Sequence, residues 1–122
     1  MIRIPKSTQK LEMKLDGAST SVIANVFFFD VKARTKPDNS EYMGSWQTAV
    51  SAGTTDVTIC NSPDVNTVRN VDTIQVYNGD AATKIVTIQI DDGGTNSVLI
   101  VKSLTTGQNL IYDAGGAGWQ VL

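Results

Sequence analysis

Apolar and polar residues alternate with a period of two along most of this chain, and clusters of Gly, Asp, Asn or Thr interrupt the alternation at short intervals. In residues 10–16, Leu11, Met13 and Leu15 fall on one side and Glu12, Lys14 and Asp16 on the other, and Asp16-Gly17 marks a stop. That is the pattern of a strand with one face in a core and one in water. Residues 55–60, TDVTIC, predict a second such strand with Val57 and Ile59 inward, and Pro63 then interrupts any ladder. Val65 and Val68 are expected to pin this connection to the edge of the fold. Residues 71–77 turn Ile74 and Val76 inward and end at Asn78-Gly79-Asp80, a hairpin-type turn signal.

Residues 84–91 follow with Val86, Ile88 and Ile90 inward, and DDGGTN at 91–96 closes a hairpin with a return strand over 97–104. In that return strand Val98, Ile100, Lys102 and Leu104 are expected on one face and Leu99 and Val101 on the other. Thr105-Thr106-Gly107 leads into QNLIYD, and a glycine-rich turn precedes a last short strand, WQVL, in which Trp119 is expected to close one end of the fold. No segment shows the 3.6-residue period of a helix. Strands spaced by about eight to twelve residues predict an all-β fold, a single antiparallel β-sandwich of jelly-roll-like type.

Three segments depart from simple alternation. Residues 1–9 combine Ile2, Arg3 and Ile4 with Pro5 and Lys6, which predicts an extended N-terminal arm ordered only by docking, ahead of a sandwich domain over 10–122. In residues 21–32, Val22, Ala24, Val26 and Phe28 share one face while Ile23, Phe27, Phe29 and Val31 occupy much of the other. A strand apolar on both sides is covered by another part of the chain or lies in an interface, so these four are candidate self-contact residues. Residues 33–55 read as a long excursion with one weak strand at 46–50, and Tyr42, Met43 and Trp46 within it need a surface to bury against.

Composition narrows the classes. The 122 residues form one domain with enough core to fold without a staple. Charged residues make up 18%, below the ~25% usual for soluble domains, so Thr, Ser, Asn, Gln and Gly carry much of the surface. A net charge of −2 gives no basic field for a phosphate backbone, which argues against direct nucleic-acid binding. The longest apolar run is too short to span a bilayer, and MIRIPKSTQK lacks the apolar centre of a signal peptide, so a soluble protein made in the cytoplasm is expected.

Candidate chemistry is sparse. One cysteine, Cys60, and no histidine leave neither an internal disulfide nor a familiar zinc-ligand set. DDGGTN has too few carboxylates for a calcium loop, and NGD, LTTG and AGGAG are followed by strands rather than by the helix a phosphate loop requires. Neither a catalytic constellation nor a cofactor is expected.

The order of features resembles small virion structural proteins of tailed bacteriophages. The resembling pieces are STQKLEMKLDGASTSVIANVFFFDV, then TDVTICNSPDVNTVRNVDTIQVYNGDAATKIVTIQI, then DDGGTNSVLIVKSLTTGQNLIYDAGGAGWQVL. Residues 34–55 have no counterpart in that pattern. The resemblance implies a β-sandwich that cements or decorates a capsid, forms homo-oligomers and binds the major capsid protein or other virion proteins, with residence in the virion. A module of the neck, tail or fibres that binds a host glycan or receptor is the alternative. On this reading Ile23, Phe27, Phe29 and Val31 make self-contacts, while Ile2, Arg3, Ile4, Tyr42, Met43 and Trp46 meet the capsid.

Overall fold

The computed structural model describes residues 1–32 and 42–122, apart from the side chains at 42 and 43. The described residues form ten strands and no helix: β1 (Ile2–Ile4), β2 (Gln9–Leu15), β3 (Val22–Lys32), β4 (Tyr42–Val50), β5 (Val57–Cys60), β6 (Thr67–Asn78), β7 (Lys84–Asp92), β8 (Thr95–Leu104), β9 (Asn109–Asp113) and β10 (Gly118–Val121). They make two antiparallel sheets. The larger runs β10-β9-β6-β3-β4, with β1 also on β6, and the smaller runs β5-β2-β7-β8. β1 pairs with Arg69–Val71 and β9 with Thr73–Tyr77, so the two lie end to end along one edge of β6.

One apolar cluster joins the sheets. Val22, Ala24, Val26 and Phe28 from β3, Val71, Ile74 and Val76 from β6, and Leu110 and Tyr112 from β9 share it with Leu11, Met13 and Leu15 of β2 and Val86 and Ile88 of β7. Each fully buried aliphatic side chain in it contributes roughly 1.5–3 kcal/mol. The alternation of the sequence thus sets which side of each strand enters the core.

At one end of this core Asn78 has no solvent exposure, yet its polar groups are satisfied. Its Nδ2 donates to the carbonyls of Ala82 (3.0 Å) and Leu104 (2.8 Å), and its Oδ1 accepts from the Asp80 N–H (3.0 Å). The β6–β7 turn is thereby tied to the end of β8. In the β7–β8 hairpin Gly93 and Gly94 take φ of 60° and 97°, the pair of positive angles a type I′ turn demands.

Several expectations change. The segment 1–9 is not wholly an arm: Ile2–Ile4 forms β1, Ile2 packs against the core, and Ile4 is fully buried in it. Three residues suffice because β6 offers a free ladder edge beyond the end of β9. β6 begins at Thr67, inside the stretch read as a break, so Val68 belongs to a strand, whereas Val65 is exposed. Glu12, assigned to a wet face, is buried because Lys10 (3.3 Å) and Gln89 (3.3 Å) bind its carboxylate.

The faces of β8 also shift. Ile88 pairs with Ile100 but Gln89 pairs with Val98, so Leu99 is an extra residue, a β-bulge. The bulge takes Val98 off the face of Ile100 and Lys102 and places it beside Val101.

Candidate functional site

The outward face of the larger sheet gathers the exposed apolar residues of β3, β4 and β6. Cross-strand register defines its rows. Val50, Ile23 and Tyr77 align in one row; Thr48, Asn25, Gln75 and Ile111 in the next; then Trp46, Phe27, Thr73 and Asp113. A fourth row runs Gly44, Phe29, Asn70 and Arg3, and Val31 beside Val68 lies in a fifth. Residues paired across a sheet project to the same side, so these rows form one surface.

Its centre is aromatic. The Phe27 and Trp46 rings lie 5.0 Å apart between centroids at 43°, a tilted contact of the kind that aromatic quadrupoles favour. Trp46 is nevertheless 61% exposed, and Ile23, Val50 and Tyr77 are exposed two rows away, beyond the row of Thr48, Asn25 and Gln75. Gly44 makes room for this arrangement: a Cβ there would stand 3.0 Å from Cζ of Phe27. Polar residues between the apolar ones are neutral and partly paired, with Thr48 Oγ1 donating to Asn25 Oδ1 at 2.7 Å and Gln75 Nε2 to Asn109 Oδ1 at 3.2 Å. In these rows the charged residues, Arg3 and Asp113, stand on the far side of β6 from Trp46. Such a surface loses little by desolvation, the property of an interface centre.

Of the sequence candidates, Ile23, Phe27, Phe29, Val31, Arg3 and Trp46 are brought together on this face. Trp46 belongs to strand β4 opposite Phe27, so Trp46 and Arg3 of the capsid-contact candidates share a surface with the self-contact candidates. Ile2 and Ile4 pair with Val71 and Arg69 and turn inward. Tyr42 and Met43 pair through their backbones with Val31 and Asp30, and their side chains lie outside the described residues. Val50 and Tyr77 were missed as surface candidates. The signal was present for Tyr77, since Ile74 and Val76 inward put it outward.

A second polar arrangement sits where β5 meets the larger sheet. Arg69 donates from Nε and Nη2 to the two carboxylate oxygens of Asp30, each at 2.8 Å, and from Nη1 to the Asn61 carbonyl at 2.6 Å. Its Cζ lies 4.0 Å from the Phe28 ring centroid. Burial pushes the neighbouring Cys60 thiol up to about 11, with Arg69 partly opposing the rise. The guanidinium is fully committed, and the thiol is neutral at physiological pH. The arrangement ties β3, β5 and β6 together and offers no nucleophile.

Among the described residues there is neither a pocket nor a group of three His, Cys, Asp or Glu side chains placed to hold a metal. What the described residues present is an exposed aromatic and aliphatic patch on the outward face of the larger sheet. No family model, curated protein or solved structure matches the chain.

Proposed function

We propose that this chain is a structural module of a tailed-phage virion, a capsid cement or decoration protein that bridges subunits of the assembled shell through the outward face of its larger sheet. The observation that carries the contact is the Trp46–Phe27 centre, exposed on a strand-built surface that also carries Ile23, Val50 and Tyr77. Its assignment to a virion rests on the order of turns and strands in the sequence. The role is one of binding, with no chemical step and no cofactor. A protein that binds the assembled lattice and not its free subunits stabilises that lattice by mass action, and many copies add up. The partners are the major capsid protein or other virion proteins together with further copies of this chain, met through Ile23, Phe27, Phe29, Val31 and Trp46.

Two finer features belong to the same proposal. We read the winding as jelly-roll-like, and what supports it is the passage of the chain between sheets at β1–β2, β2–β3, β4–β5, β5–β6, β6–β7 and β8–β9. The segment 1–9 acts as an arm on the shell, with Arg3 reaching it from the outward face while Ile2 and Ile4 anchor β1. The test is copy number in purified particles together with binding of the isolated protein to shells that lack it. Hundreds of copies, and binding lost in Trp46→Ala or Phe27→Ser, support cement. A dozen copies or fewer, or undiminished binding by both variants, sinks it.

A second reading has its own observation. The exposed Trp46 ring lies beside the Asn25–Thr48 amide and hydroxyl pair, a combination suited to stacking and bonding a sugar. On this reading the chain sits at the neck, tail or fibres and binds a host glycan. A glycan array that gives Trp46-dependent signal favours it, and a blank array removes it.

A further inference from the structure

We infer that β8 is a seam at which two copies of this chain pair edge to edge, antiparallel, joining their four-stranded sheets into one continuous sheet. This contact is separate from the outward face of the larger sheet and does not depend on the virion reading. β8 bonds to β7 alone among the described strands and leaves its other ladder edge unpaired over Thr95–Leu104. Most other sheet edges are shorter, β1 with three residues and β5 with four. β4 runs beside β5, where the Asn61 N–H donates to Gln47 Oε1 at 2.8 Å, and β10 is only four residues long. An edge strand as long as β8 ordinarily carries proline or several charges against chance pairing. β8 has no proline, and Lys102 is its one charged residue.

Its side chains are arranged for a partner. Val98 and Val101 are 58% and 53% exposed, and Ile85 on the adjacent strand is exposed next to them. The bulge at Leu99 places Val98 and Val101 on one face, opposite Gln89 and Thr87. Bulges commonly protect an edge, but this one concentrates apolar surface on it.

The strand is complementary to itself. When two copies of β8 overlap over their full length in antiparallel sense, Thr95 meets Leu104 of the second copy, Val98 meets Val101, Leu99 meets Ile100 and Ser97 meets Lys102. A two-fold axis through this overlap repeats every contact, the geometry of an isologous interface. Four valines then form one apolar cluster on the outer surface, flanked by both copies of Ile85. Lys102 never faces its own copy. It stands opposite the neutral Ser97, so no like charges meet across the seam. The match of Val98 to Val101 and the absence of like-charge repulsion therefore select a second copy of this chain.

The experiment measures the mass of the full chain by sedimentation and light scattering from micromolar to millimolar concentration. The expected result is a reversible dimer whose dissociation constant rises about tenfold or more in Val101→Lys, since each new lysine enters the valine cluster twice by symmetry. Adding Val98→Glu to that variant sets each glutamate opposite a lysine of the other copy and restores the dimer. Should Val101→Lys fail to fold by circular dichroism, mild oxidation of mixed Val98→Cys and Val101→Cys chains decides. A disulfide forming only between unlike chains supports the seam, and none, or one between like chains, overturns it. A monomer at every concentration, or a dimer that survives Val101→Lys but is lost in Trp46→Ala, also overturns it.

Discussion

Cys60 shows how burial and charge compete at a single atom. Its thiol titrates near 9.0 in water but at about 11 in the fold, because the core disfavours the thiolate more than Arg69 rewards it. The unfolded chain therefore releases this proton first. The stability tied to the neutral thiol is complete below pH 9.0 and is lost as pH rises from there through about 11. Urea unfolding across that window is expected to show a loss of roughly 2–3 kcal/mol from this group, and Cys60→Ala should flatten it. The adjacent ion pair makes a second prediction. Arg69→Met leaves the Asp30 carboxylate without its two donors and the Asn61 carbonyl without its own, so stability should drop by roughly 3 kcal/mol, read as a lower urea midpoint. If Asp30→Leu is added, much of that loss should return, because two neutral side chains no longer need each other.

At the scale of elements, β1 is the sharpest test of how the fold is assembled. Ile4→Ala removes a fully buried side chain and should cost about 2–5 kcal/mol in equilibrium unfolding, whereas a loosely attached arm would register almost nothing. The opposite is expected at the outward face. Trp46→Ala should change stability by less than about 1 kcal/mol, because its ring is mostly in solvent already, so any large effect on association is a direct one. Gly44→Val should displace the Phe27 ring and disturb association more than it disturbs stability.

These elements also show what the sequence could convey. β2, β3 and β7 were legible because a period of two is a local property, and the Gly93-Gly94 hairpin because its backbone demands glycine. The doubly apolar character of β3 was readable too, and it led to the face that now includes Trp46. Pairing was not readable. β1 became a strand because β6 had an unoccupied edge, β6 itself extends back to Thr67 along β3, and the bulge at Leu99 inverted one face of β8. Each of these depends on a neighbour distant in sequence, which alternation cannot report.

For the molecule as a whole, the two surfaces proposed for contact lie on different sheets. One is the aromatic centre of the larger sheet, and the other is the bare edge of the smaller. A subunit that uses both can join copies of itself while its broad face holds a different partner, so a dimer formed through β8 would present two Trp46 faces to one shell. This doubles the attachment, and a variant broken at β8 should bind a lattice more weakly even with Trp46 intact, an effect measurable as loss of avidity in shell-binding titrations.

The shared edge of β6 bears on how the chain is made. Its hydrogen-bonding groups at 73–77 wait for β9, whose residues 109–113 are synthesised more than thirty positions later. Until they emerge from the ribosome, β6 carries an open ladder at the heart of the larger sheet. A chain stalled after β8 therefore combines two unpaired edges in one nascent molecule. Yield in the cell should respond more to changes in Leu110 and Tyr112 than their effect on the finished fold would suggest, because they close that gap.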